Sequence, residues 1–392
     1  MPPIPPPPTP PPATPYDCSA PPAMTGLISV RTPLPGKYIV VLKRRPSSMF
    51  VKQAVQSLAA QYKVKEVNVF SAAIHGFSVA TDVKTVLKIA ADPQVEYVQE
   101  EGVKSVPKPI ASKVVPRAGV AWGLDRVDQR DLPLDGRYEP GASGTSIHFY
   151  DIDTGLDATH SEFTGRTGNC FSTVVFRGCD DAHGHGTHTA GTVAGTIWGI
   201  AKRVTIHAVR VLDENGSGSD SDVIKGIDWV TQEVKANGWP AVANMSLGGS
   251  ASPALDQAVC NSIAAGVAYA IAAGNESTDA CDSSPARVVQ AITLAASDDG
   301  DHAASFTNTG RCTDLFAPGV DVESAKAGGG SVTYSGTSMA TPHATGAAAL
   351  FLERHPGSTP AQVAQWIVDH ATPGKINGGG GSPNKLLYVK EP

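Results

Sequence analysis

Residues 204–247, VTIHAVRVLDENGSGSDSDVIKGIDWVTQEVKANGWPAVANMSL, contain the pattern that decides the fold. Two short apolar runs, VTIHAVRVL at 204–212 and AVANMSL at 241–247, flank a helical stretch, DVIKGIDWVTQEVKA at 222–236. Strands that are apolar along their whole length are typical of parallel sheets buried on both faces, and parallel strands need a long, usually helical crossover between them. The stretch therefore predicts a strand, a helix and a second, parallel strand.

The same alternation continues on both sides of this stretch. SIHFYDID at 146–153 precedes it, and VAYAIAAG at 267–274 and AITLAAS at 291–297 follow it, with a helical run, ALDQAVCNSIAAG, at 254–266. This pattern predicts an α/β fold with a mostly parallel central sheet flanked by helices. Ligand sites in such folds lie at the carboxyl ends of the strands, so chemistry is expected where strands give way to loops or helices.

The amino-terminal third has a different organisation. Residues 36–105 predict a small α+β domain of four strands and two helices, and the first helix carries an apolar face of Phe50, Val51, Val55, Leu58 and Ala59. The strands are KYIVVLK (37–43), VNVF (67–70), GFSVA (76–80) and VEYVQEE (95–101), and the helices are SSMFVKQAVQSLAAQY (47–62) and VKTVLKIAAD (83–92).

Two proline-rich segments mark the boundaries of this small domain. Twelve of the 31 prolines lie within the first 22 residues, so residues 1–35 are predicted to be a low-complexity segment without a core. Residues 106–118, VPKPIASKVVPRA, lack periodicity and are predicted to be an exposed linker open to proteolysis, with one large domain over residues 119–392.

Composition and charge exclude several classes of protein. Of the 392 residues 41% are apolar and 17% charged, and no apolar run approaches the length of a membrane span, so a soluble globular protein without membrane contact is expected. The first 118 residues carry 14 Lys and Arg against 7 Asp and Glu, which leaves 17 against 30 for the rest. This asymmetry predicts a basic segment that docks on an acidic body, and it argues against nucleic acid as a partner.

The six cysteines, at positions 18, 170, 179, 260, 281 and 312, contain no C-x-x-C pair. Zinc ribbons and thioredoxin-like sites are therefore disfavoured, and disulfides in an oxidising compartment are expected, with Cys170 and Cys179 as one candidate pair. We expect a secreted monomer, although the amino terminus shows no basic region followed by an apolar run of the kind that marks a signal peptide.

Four residues with complementary chemistry follow predicted strands or begin predicted helices. Asp153 ends SIHFYDID, His185 begins a helix of small residues, Asn275 follows VAYAIAAG, and Ser338 begins the helix that continues through AAALFLERH. A serine nucleophile needs a neutral imidazole, a buried carboxylate that orients it, and donors for the oxyanion. Together the four residues supply every one of these roles.

Each of these residues also has a plainer interpretation. An Asp after a strand or a Ser before a helix is commonly a cap or turn residue, and only their joint occurrence favours catalysis. His183, His185 and His188 form H-x-H-x-x-H, which is an alternative metal cluster, but no H-E-x-x-H motif accompanies it.

These motifs resemble the subtilisin-like serine proteases, and within them the branch that includes proteinase K and aqualysin. The resemblance runs from about Trp122 to Tyr388 through GHGTHTAGTV, SLGG, AAGN and SGTSMATPH. The order Asp, His, Ser is the one known for subtilisin. Residues 36–105 resemble the inhibitor-type propeptide of that family, which acts as a folding chaperone and temporary inhibitor of its own protease.

The resemblance assigns a role to each site residue. It implies that Asp153 orients the base His185, that Ser338 is the nucleophile, and that Asn275 contributes to the oxyanion hole. Substrate would bind as an added strand between two glycine-rich edges, with an apolar or aromatic side chain before the scissile bond. The implied substrate-binding residues are Ser217, Gly218, Ser246, Leu247, Gly248, Ala273 and Gly274.

Further implications of the resemblance concern calcium and the remaining cysteines. Catalysis needs no cofactor, but structural Ca²⁺ is expected at Asp314 with the main-chain carbonyls of Val289 and Ala291. A second calcium site is expected at the residues Asp125 and Asp128. Cys281 and Cys312 match a family disulfide. Cys18 is expected to leave with the proregion, which would leave Cys260 as a buried free thiol.

The sequence therefore predicts a secreted serine endopeptidase of broad specificity that cleaves proteins and peptides. It would be made as an autoinhibited zymogen, with its own propeptide as intramolecular inhibitor, and would process itself within residues 106–118. One alternative is a catalytically inactive binding protein that keeps the fold. Another is a processing protease of narrow, dibasic specificity, which would show acidic clusters around its substrate pocket.

Overall fold

The structure, a computed structural model, describes residues 14–43, 47–106, 110–111 and 119–391. Residues 27–100 form the small domain, in which the described residues build a five-stranded sheet of order β1-β5-β2-β4-β3 with two helices. Its elements are β1 (Leu27–Ile28), β2 (Lys37–Leu42), α1 (Ser48–Tyr62), β3 (Glu66–Phe70), β4 (Gly76–Ala80), α2 (Val83–Ala90) and β5 (Val95–Glu100).

Both helices of the small domain cover one face of its sheet. Val51 and Leu58 of α1 and Ile89 of α2 pack with Val40 and Val98 of the strands. Phe50 is 47% exposed, so its predicted place on the buried face of α1 is wrong. It lies next to Val51, about 100° further back around the helix.

The segment before the small domain differs from its prediction. Residues 14–18, here called the anchor segment, pack against the large domain, and the side chain of Tyr16 is only 2% exposed. Further along, β1 pairs with β5, so the small sheet begins at Leu27 rather than near residue 36. The prediction that residues 1–35 contribute nothing to a core is therefore wrong for the described residues, because scattered apolar side chains find partners that the proline content conceals. Residues 1–13 lie outside the described part.

The large domain, residues 119–391, is built on a sheet in which the described residues supply nine strands. Their order is β20-β21-β17-β16-β14-β12-β8-β10-β9, and all neighbours are parallel except β20 and β21. The strands of this sheet are β8 (His148–Asp153), β9 (Phe171–Ser172), β10 (Thr205–Arg210), β12 (Ala241–Met245), β14 (Val267–Ala272), β16 (Ile292–Ser297), β17 (Leu315–Pro318), β20 (Thr372–Pro373) and β21 (Lys385–Leu386).

Helices cover both faces of this sheet and confirm the predicted α/β class. Phe149 points to the core formed with α3, α4, α7 and α8, whereas its neighbours Tyr150 and Ile152 point to the core formed with α5 and α6. The helices are α3 (Trp122–Val127), α4 (His185–Ala194), α5 (Asp220–Asn237), α6 (Pro253–Ala264), α7 (Thr337–Arg354) and α8 (Pro360–His370). Short 3-10 helices span Ser161–Phe163 and Ala280–Asp282.

Small edge pairings connect the two domains. Residues 103–106 and 110–111, here called the crossing segment, contain the strands β6 and β7, which pair with strands of the large domain. The short strands are β6 (Val103–Ser105), β7 (Ile110–Ala111), β11 (Ser217–Ser219), β13 (Gly249–Ser250), β15 (Ser283–Ser284), β18 (Val322–Ala325) and β19 (Ser331–Ser335). The predicted linker is thus paired in part, and Val106 is buried. The remaining linker residues, 107–109 and 112–118, lie outside the described part.

Among the described residues, no helix combines the length and apolar character that a membrane span requires.

Candidate active site

Asp153 and His185 form a hydrogen-bonded pair at the carboxyl end of β8. Asp153 is the last residue of that strand, and His185 is the first residue of α4. His185 Nδ1 lies 2.8 Å from Asp153 Oδ1 and 3.0 Å from Oδ2, and both side chains are buried. A carboxylate at Nδ1 holds the proton there and leaves Nε2 as the proton acceptor. The pair is arranged as a base and the acid that orients it.

Local sequence explains why α4 begins so close to β8. Position 186 must be glycine, because a Cβ there would collide with the Gly155 carbonyl oxygen. Asp181 then satisfies the free N–H groups of the first helical turn, accepting from Gly184 N and Thr187 N at 2.8 Å each. Sequence reasoning missed Asp181, although an acidic residue just before a helix is a recognisable capping signal.

Ser338 is the second residue of α7, where a backbone N–H has no acceptor within the helix. Its hydroxyl donates to the Ser246 carbonyl oxygen at 3.0 Å. His185 Nε2 has no hydrogen-bond partner among the described residues, so the hydrogen bond expected between nucleophile and base is not formed here. In this state the chain's own crossing segment runs through the adjoining cleft.

The side chain of Asn275 is oriented by Thr337. Asn275 Oδ1 accepts from Thr337 N at 2.9 Å and from Thr337 Oγ1 at 2.8 Å. With the oxygen engaged, the amide nitrogen carries the free donors. Asn275 Nδ2 and Ser338 N are therefore two donors beside the nucleophile, which is the composition of an oxyanion hole.

A buried polar network lies beneath the nucleophile. Asn244 Nδ2 donates to Asp151 Oδ1 at 3.0 Å and to Ser246 Oγ at 3.1 Å, and Ser246 Oγ donates to the Ser338 carbonyl at 2.9 Å. Burial and the nearby carboxylate of Asp153 raise the pKa of Asp151 well above its ordinary value. Sequence reasoning missed Asn244, because a single Asn inside an apolar strand carries no catalytic pattern.

The crossing segment occupies the cleft between the two glycine-rich edges. Strand β6 is antiparallel to β11, with Lys104 opposite Gly218 and Ser105 opposite Ser217. On the other side Ser105 exchanges both backbone hydrogen bonds with Gly248, at 2.9 and 3.1 Å. The predicted edges thus hold an extended strand from both sides, as an added substrate strand would be held.

The pocket next to this strand brings together most of the predicted substrate-binding residues. Small, uncharged residues dominate its wall on both sides of Ser338, and it opens beside Asn275. Its lining includes Ser246, Leu247, Gly248, Ala273 and Gly274. Ser217 and Gly218 lie instead on β11, across the bound strand.

The crossing segment pairs with the large domain again at residues 110–111. Strand β7 is antiparallel to β19, with Ile110 opposite Ser335 and Ala111 opposite Tyr334. Strand β19 ends three residues before Ser338. The described parts of the crossing segment therefore pair with β11 on one side of the site and with β19 on the other.

Acidic side chains of helix α5 and of residue 101, just after the small domain, hold the small domain against α5. Asp228 Oδ1 accepts backbone hydrogen bonds from Ser71, Ala72 and Ala73 at 2.9, 2.6 and 2.9 Å. Glu101 Oε1 accepts from Ser221 N at 2.7 Å, at the amino-terminal turn of α5. Burial raises the pKa of Glu101 to about 7. The buried ion pair between Lys104 and Asp220 is one contact of the kind that the predicted charge asymmetry requires.

The three histidines predicted as an alternative metal cluster serve different purposes. His185 pairs with Asp153, whereas His188 Nε2 lies 3.1 Å from the Val322 carbonyl and 3.2 Å from the Val332 carbonyl. Burial lowers the pKa of His188 to about 3, so it stays neutral as a donor. The described residues contain no group of three or more acidic, His or Cys side chains suited to a metal ion. His185 and His188 are thus engaged by different protein groups.

The carboxylates proposed for calcium lie in two separate places. Asp314 Oδ2 accepts from Thr293 N at 2.7 Å, and burial raises the pKa of Asp314 to about 7. Asp125 accepts from Asp135 N and Gly136 N at 3.2 and 2.9 Å, and Asp128 accepts from Glu139 N at 2.7 Å. Burial raises the pKa of Asp125 and of Asp128 as well.

All six cysteines are paired. The Cys281–Cys312 and Cys170–Cys179 disulfides confirm their predicted pairings. Cys18 and Cys260 form the third disulfide, so the prediction of a free thiol at Cys260 is wrong. The anchor segment brings these two cysteines together, because the backbone of Tyr16 pairs with residues 287–289 beside α6.

The chain is similar to known serine proteases. The model of the Subtilase family matches residues 152–386. An extracellular serine proteinase of Thermus sp. (strain Rt41A) is 48% identical over 91% of this chain and 90% of its own length. Alkaline serine exoprotease A of Vibrio alginolyticus is 43% identical over 90% of this chain and 67% of its own length.

A solved structure leads to the same family. The crystal structure of a cold-adapted subtilisin-like serine proteinase superposes with a TM-score of 0.68 at 46% identity, and covers 70% of this chain and 100% of its own. Its fold matches the mostly parallel sheet with helices on both faces, and the family is one of serine proteases that need no catalytic cofactor. With Asp153, His185 and Ser338 at the ends of neighbouring elements, the chain belongs to the subtilase family of serine proteases.

Proposed function

We propose that the protein is a secreted serine endopeptidase of the proteinase K type, made as an autoinhibited zymogen. The small domain is its propeptide, and the large domain is the protease. The observation that carries this proposal is the crossing segment, whose residues 103–105 run as an extended strand between the substrate edges, beside the pocket that Ser338 lines. Broad specificity follows from the main-chain character of these contacts, with apolar or aromatic side chains favoured in the pocket beside them, most of whose lining residues are small and uncharged.

The geometry supports acyl transfer through Ser338. The Ser338 hydroxyl turns from the Ser246 carbonyl towards His185, attacks the substrate carbonyl and gives its proton to His185 Nε2. Asp153 holds the Nδ1 proton and stabilises the imidazolium. The oxyanion accepts from Asn275 Nδ2 and Ser338 N. His185 then protonates the leaving amine, and water hydrolyses the acyl enzyme by the same route.

The positions of the prolines favour a maturation cut towards the carboxyl end of the linker. The chain between Val106 and Ile110 reads Pro107-Lys108-Pro109, so every peptide bond in this stretch has proline on one side. A proline before the scissile bond has no N–H for the cleft, and a proline after it makes the bond a tertiary amide. We therefore assign maturation to a bond within residues 110–118.

We also propose a structural calcium ion at Asp314, completed by the main-chain carbonyls of Val289 and Ala291. The buried Asp314 carboxylate, whose pKa burial raises to about 7, fits a cation that would supply the missing positive charge. A second ion at Asp125 and Asp128 remains a prediction.

Calcium and protons should compete for Asp314. A raised pKa means that the group is protonated below pH 7, so calcium should raise the melting temperature more at pH 8 than at pH 5. Thermal unfolding with calcium and with a chelator measures this difference. Asp314→Asn should lose the effect, and Asp369→Asn, on the exposed face of α8, should keep it. Equal calcium responses in both variants would contradict the assignment.

An active-site-directed fluorophosphonate tests the proposed function directly. The matured protein should be labelled on Ser338 and should hydrolyse peptides with an aromatic residue before the scissile bond, and Ser338→Ala should do neither. A wild-type protein that neither reacts nor hydrolyses would favour the inactive binding protein instead.

A further inference from the structure

The Lys104 side chain of the crossing segment ends in a buried acidic pocket. Lys104 Nζ lies 2.7 Å from Asp220 Oδ1 and 2.9 Å from the Ser250 carbonyl oxygen, and neither charged side chain is exposed. A buried ammonium ion is costly unless it is paired and hydrogen-bonded, so these acceptors form a built site for a cation. A Cβ at Gly249 would lie 2.6 Å from the Val103 carbonyl oxygen and 3.2 Å from Lys104 Cδ, so glycine is required there.

The strand register identifies the substrate residue that reaches this pocket. Ser105 lies opposite Gly248 in an antiparallel arrangement, so the residue two positions later in a bound substrate lies opposite Ser246. Ser246 exchanges hydrogen bonds with Ser338, so that later residue donates the acyl group. A side chain in the place of Lys104 is therefore the fourth before the scissile bond, at P4.

We propose that Asp220 determines specificity at P4 and selects substrates with Lys or Arg at that position. This inference rests on the proposed endopeptidase function and refines its broad specificity. Asp220 belongs to the large domain and is the first residue of α5, so it stays at the cleft when the small domain leaves. A substrate Lys takes the place of Lys104, and the planar fork of Arg presents donors to both acceptors.

Peptides that differ only at P4 test the proposal on the matured enzyme. We compare Lys-Ala-Ala-Phe p-nitroanilide with versions that carry Arg, norleucine or Glu at P4. Norleucine keeps the unbranched apolar stem of Lys without its charge. The proposal predicts that kcat/KM is at least about tenfold higher for Lys and Arg than for norleucine, and lowest for Glu. The advantage should shrink as salt screens the pair.

Asp220→Asn should remove the preference for Lys over norleucine, whereas Glu233→Gln should keep it. Glu233 lies on the same helix, 13 residues away and therefore about 20 Å along the axis, so it is a matched loss of charge. If Asp220→Asn alone fails to mature, pairing it with Lys104→Gln removes the unpaired charge from the zymogen. Equal kcat/KM for Lys and norleucine with the wild-type enzyme would overturn the proposal.

The outcomes separate this inference from the proposed function. Hydrolysis of all peptides without a P4 preference refutes the proposed role of Asp220 and leaves the proposed endopeptidase function standing. If no peptide is hydrolysed, the proposed function fails. Calorimetric titration with the same peptides then tests whether the pocket prefers Lys at P4. Tighter binding of the Lys peptide than of the norleucine peptide supports it, and equal binding refutes it.

A separate observation concerns the covalent link between the domains. Cys18 of the anchor segment is bonded to Cys260 of α6. The backbone of Tyr16 also holds the anchor segment. Its N–H donates to the Arg287 carbonyl at 2.7 Å, and its carbonyl accepts from Val289 N at 3.0 Å. Residues 19–26, exposed except for Met24, connect this anchor to the small domain.

We infer that a cut in the linker leaves the propeptide tethered to the protease. The tether keeps the severed inhibitor at a high effective concentration beside the cleft. Full release then needs a second cut, within the exposed connector at residues 19–26. This inference also rests on the proposed zymogen.

Denaturing gel electrophoresis with and without a thiol reductant tests the tether. After linker cleavage the wild-type protein should run as one species without reductant and as two with it. A Cys18→Ser/Cys260→Ser variant should separate without reductant and show peptide hydrolysis earlier. Wild-type protein that separates without reductant as soon as the linker is cut would refute the tether. If the wild-type linker is never cut, or if the Ser338→Ala control is cut equally fast, the zymogen proposal itself fails.

Discussion

At the scale of single residues, Asn275 shows most clearly how neighbouring groups give a side chain its role. Thr337 donates to the Asn275 amide oxygen from both its backbone N–H and its hydroxyl, and this leaves the amide nitrogen for the cleft. The Thr337 that orients it directly precedes Ser338, so one short turn sets the nucleophile and both oxyanion donors.

Replacing Asn275 with Leu should lower kcat by about 10²- to 10³-fold, the range found when such a donor is removed from subtilisin. KM should change little, because the lost hydrogen bond forms mainly in the transition state. Steady-state kinetics on one peptide substrate measures both values. Asn237→Leu, at the exposed end of α5, is the matched control and should behave as wild type. A loss below tenfold in Asn275→Leu would mean that the oxyanion is stabilised by other groups.

The sequence predicted those residues that belong to a recognisable local motif. Asp153, His185, Asn275 and Ser338 each follow a strand or begin a helix within such a motif. The structure pairs Asp153 with His185 and places Asn275 beside Ser338. Lys104 and Asp220 form an equally specific pair, but they lie 116 positions apart, and neither belongs to a motif. Their contact depends on the register of β6 against β11, which the sequence does not determine on its own.

At the scale of elements, apolar periodicity predicted the regular structure closely. The strand expected at 76–80 is β4 with the same bounds, and the helix expected at 83–92 is α2, which ends two residues earlier at Ala90. Two-residue strands such as β1 and β7 escaped prediction. They carry too few residues for a periodic pattern and exist only because a partner strand lies alongside.

The contact between Glu101 and the start of α5 should make the zymogen sensitive to pH. The ordinary pKa of a Glu is 4.5, and burial raises that of Glu101 to about 7, so the docked state binds a proton more tightly than the undocked state. The stabilisation is therefore complete below pH 4.5 and is lost as the pH rises through 7, a change of about 3 kcal/mol.

Urea unfolding of the Ser338→Ala zymogen, with and without Glu101→Gln, isolates this effect from other titrating groups. Between pH 4.5 and 7.5 the protein with Glu101 should lose about 3 kcal/mol more of its free energy of unfolding than the Gln variant. Parallel pH profiles for the two proteins would show that Glu101 does not change its pKa on docking.

At the scale of the whole molecule, charge and disulfides join the two domains. The sequence predicts that the basic amino-terminal region docks on an acidic body. In the structure Asp220 of α5 forms a salt bridge with Lys104, and Asp228 of α5 accepts a backbone hydrogen bond from Ala72. The Cys18–Cys260 bond joins residues 242 positions apart. The sequence could not reveal it, because the proline-rich composition hides the short anchor segment that positions Cys18.

The most direct test of the central claim is a time course of intact mass for the purified full-length protein beside Ser338→Ala, with calcium present and each sample read with and without reductant. If Ser338 catalyses its own maturation, reduced wild-type samples should lose about 11 to 12 kDa of the 40.5 kDa chain, while Ser338→Ala stays whole. The masses should place the cut within residues 110–118, and the unreduced samples should at first keep both parts. If Ser338→Ala is cut at the same rate as the wild type, or if neither protein changes, the account of Ser338 as a self-processing nucleophile is wrong.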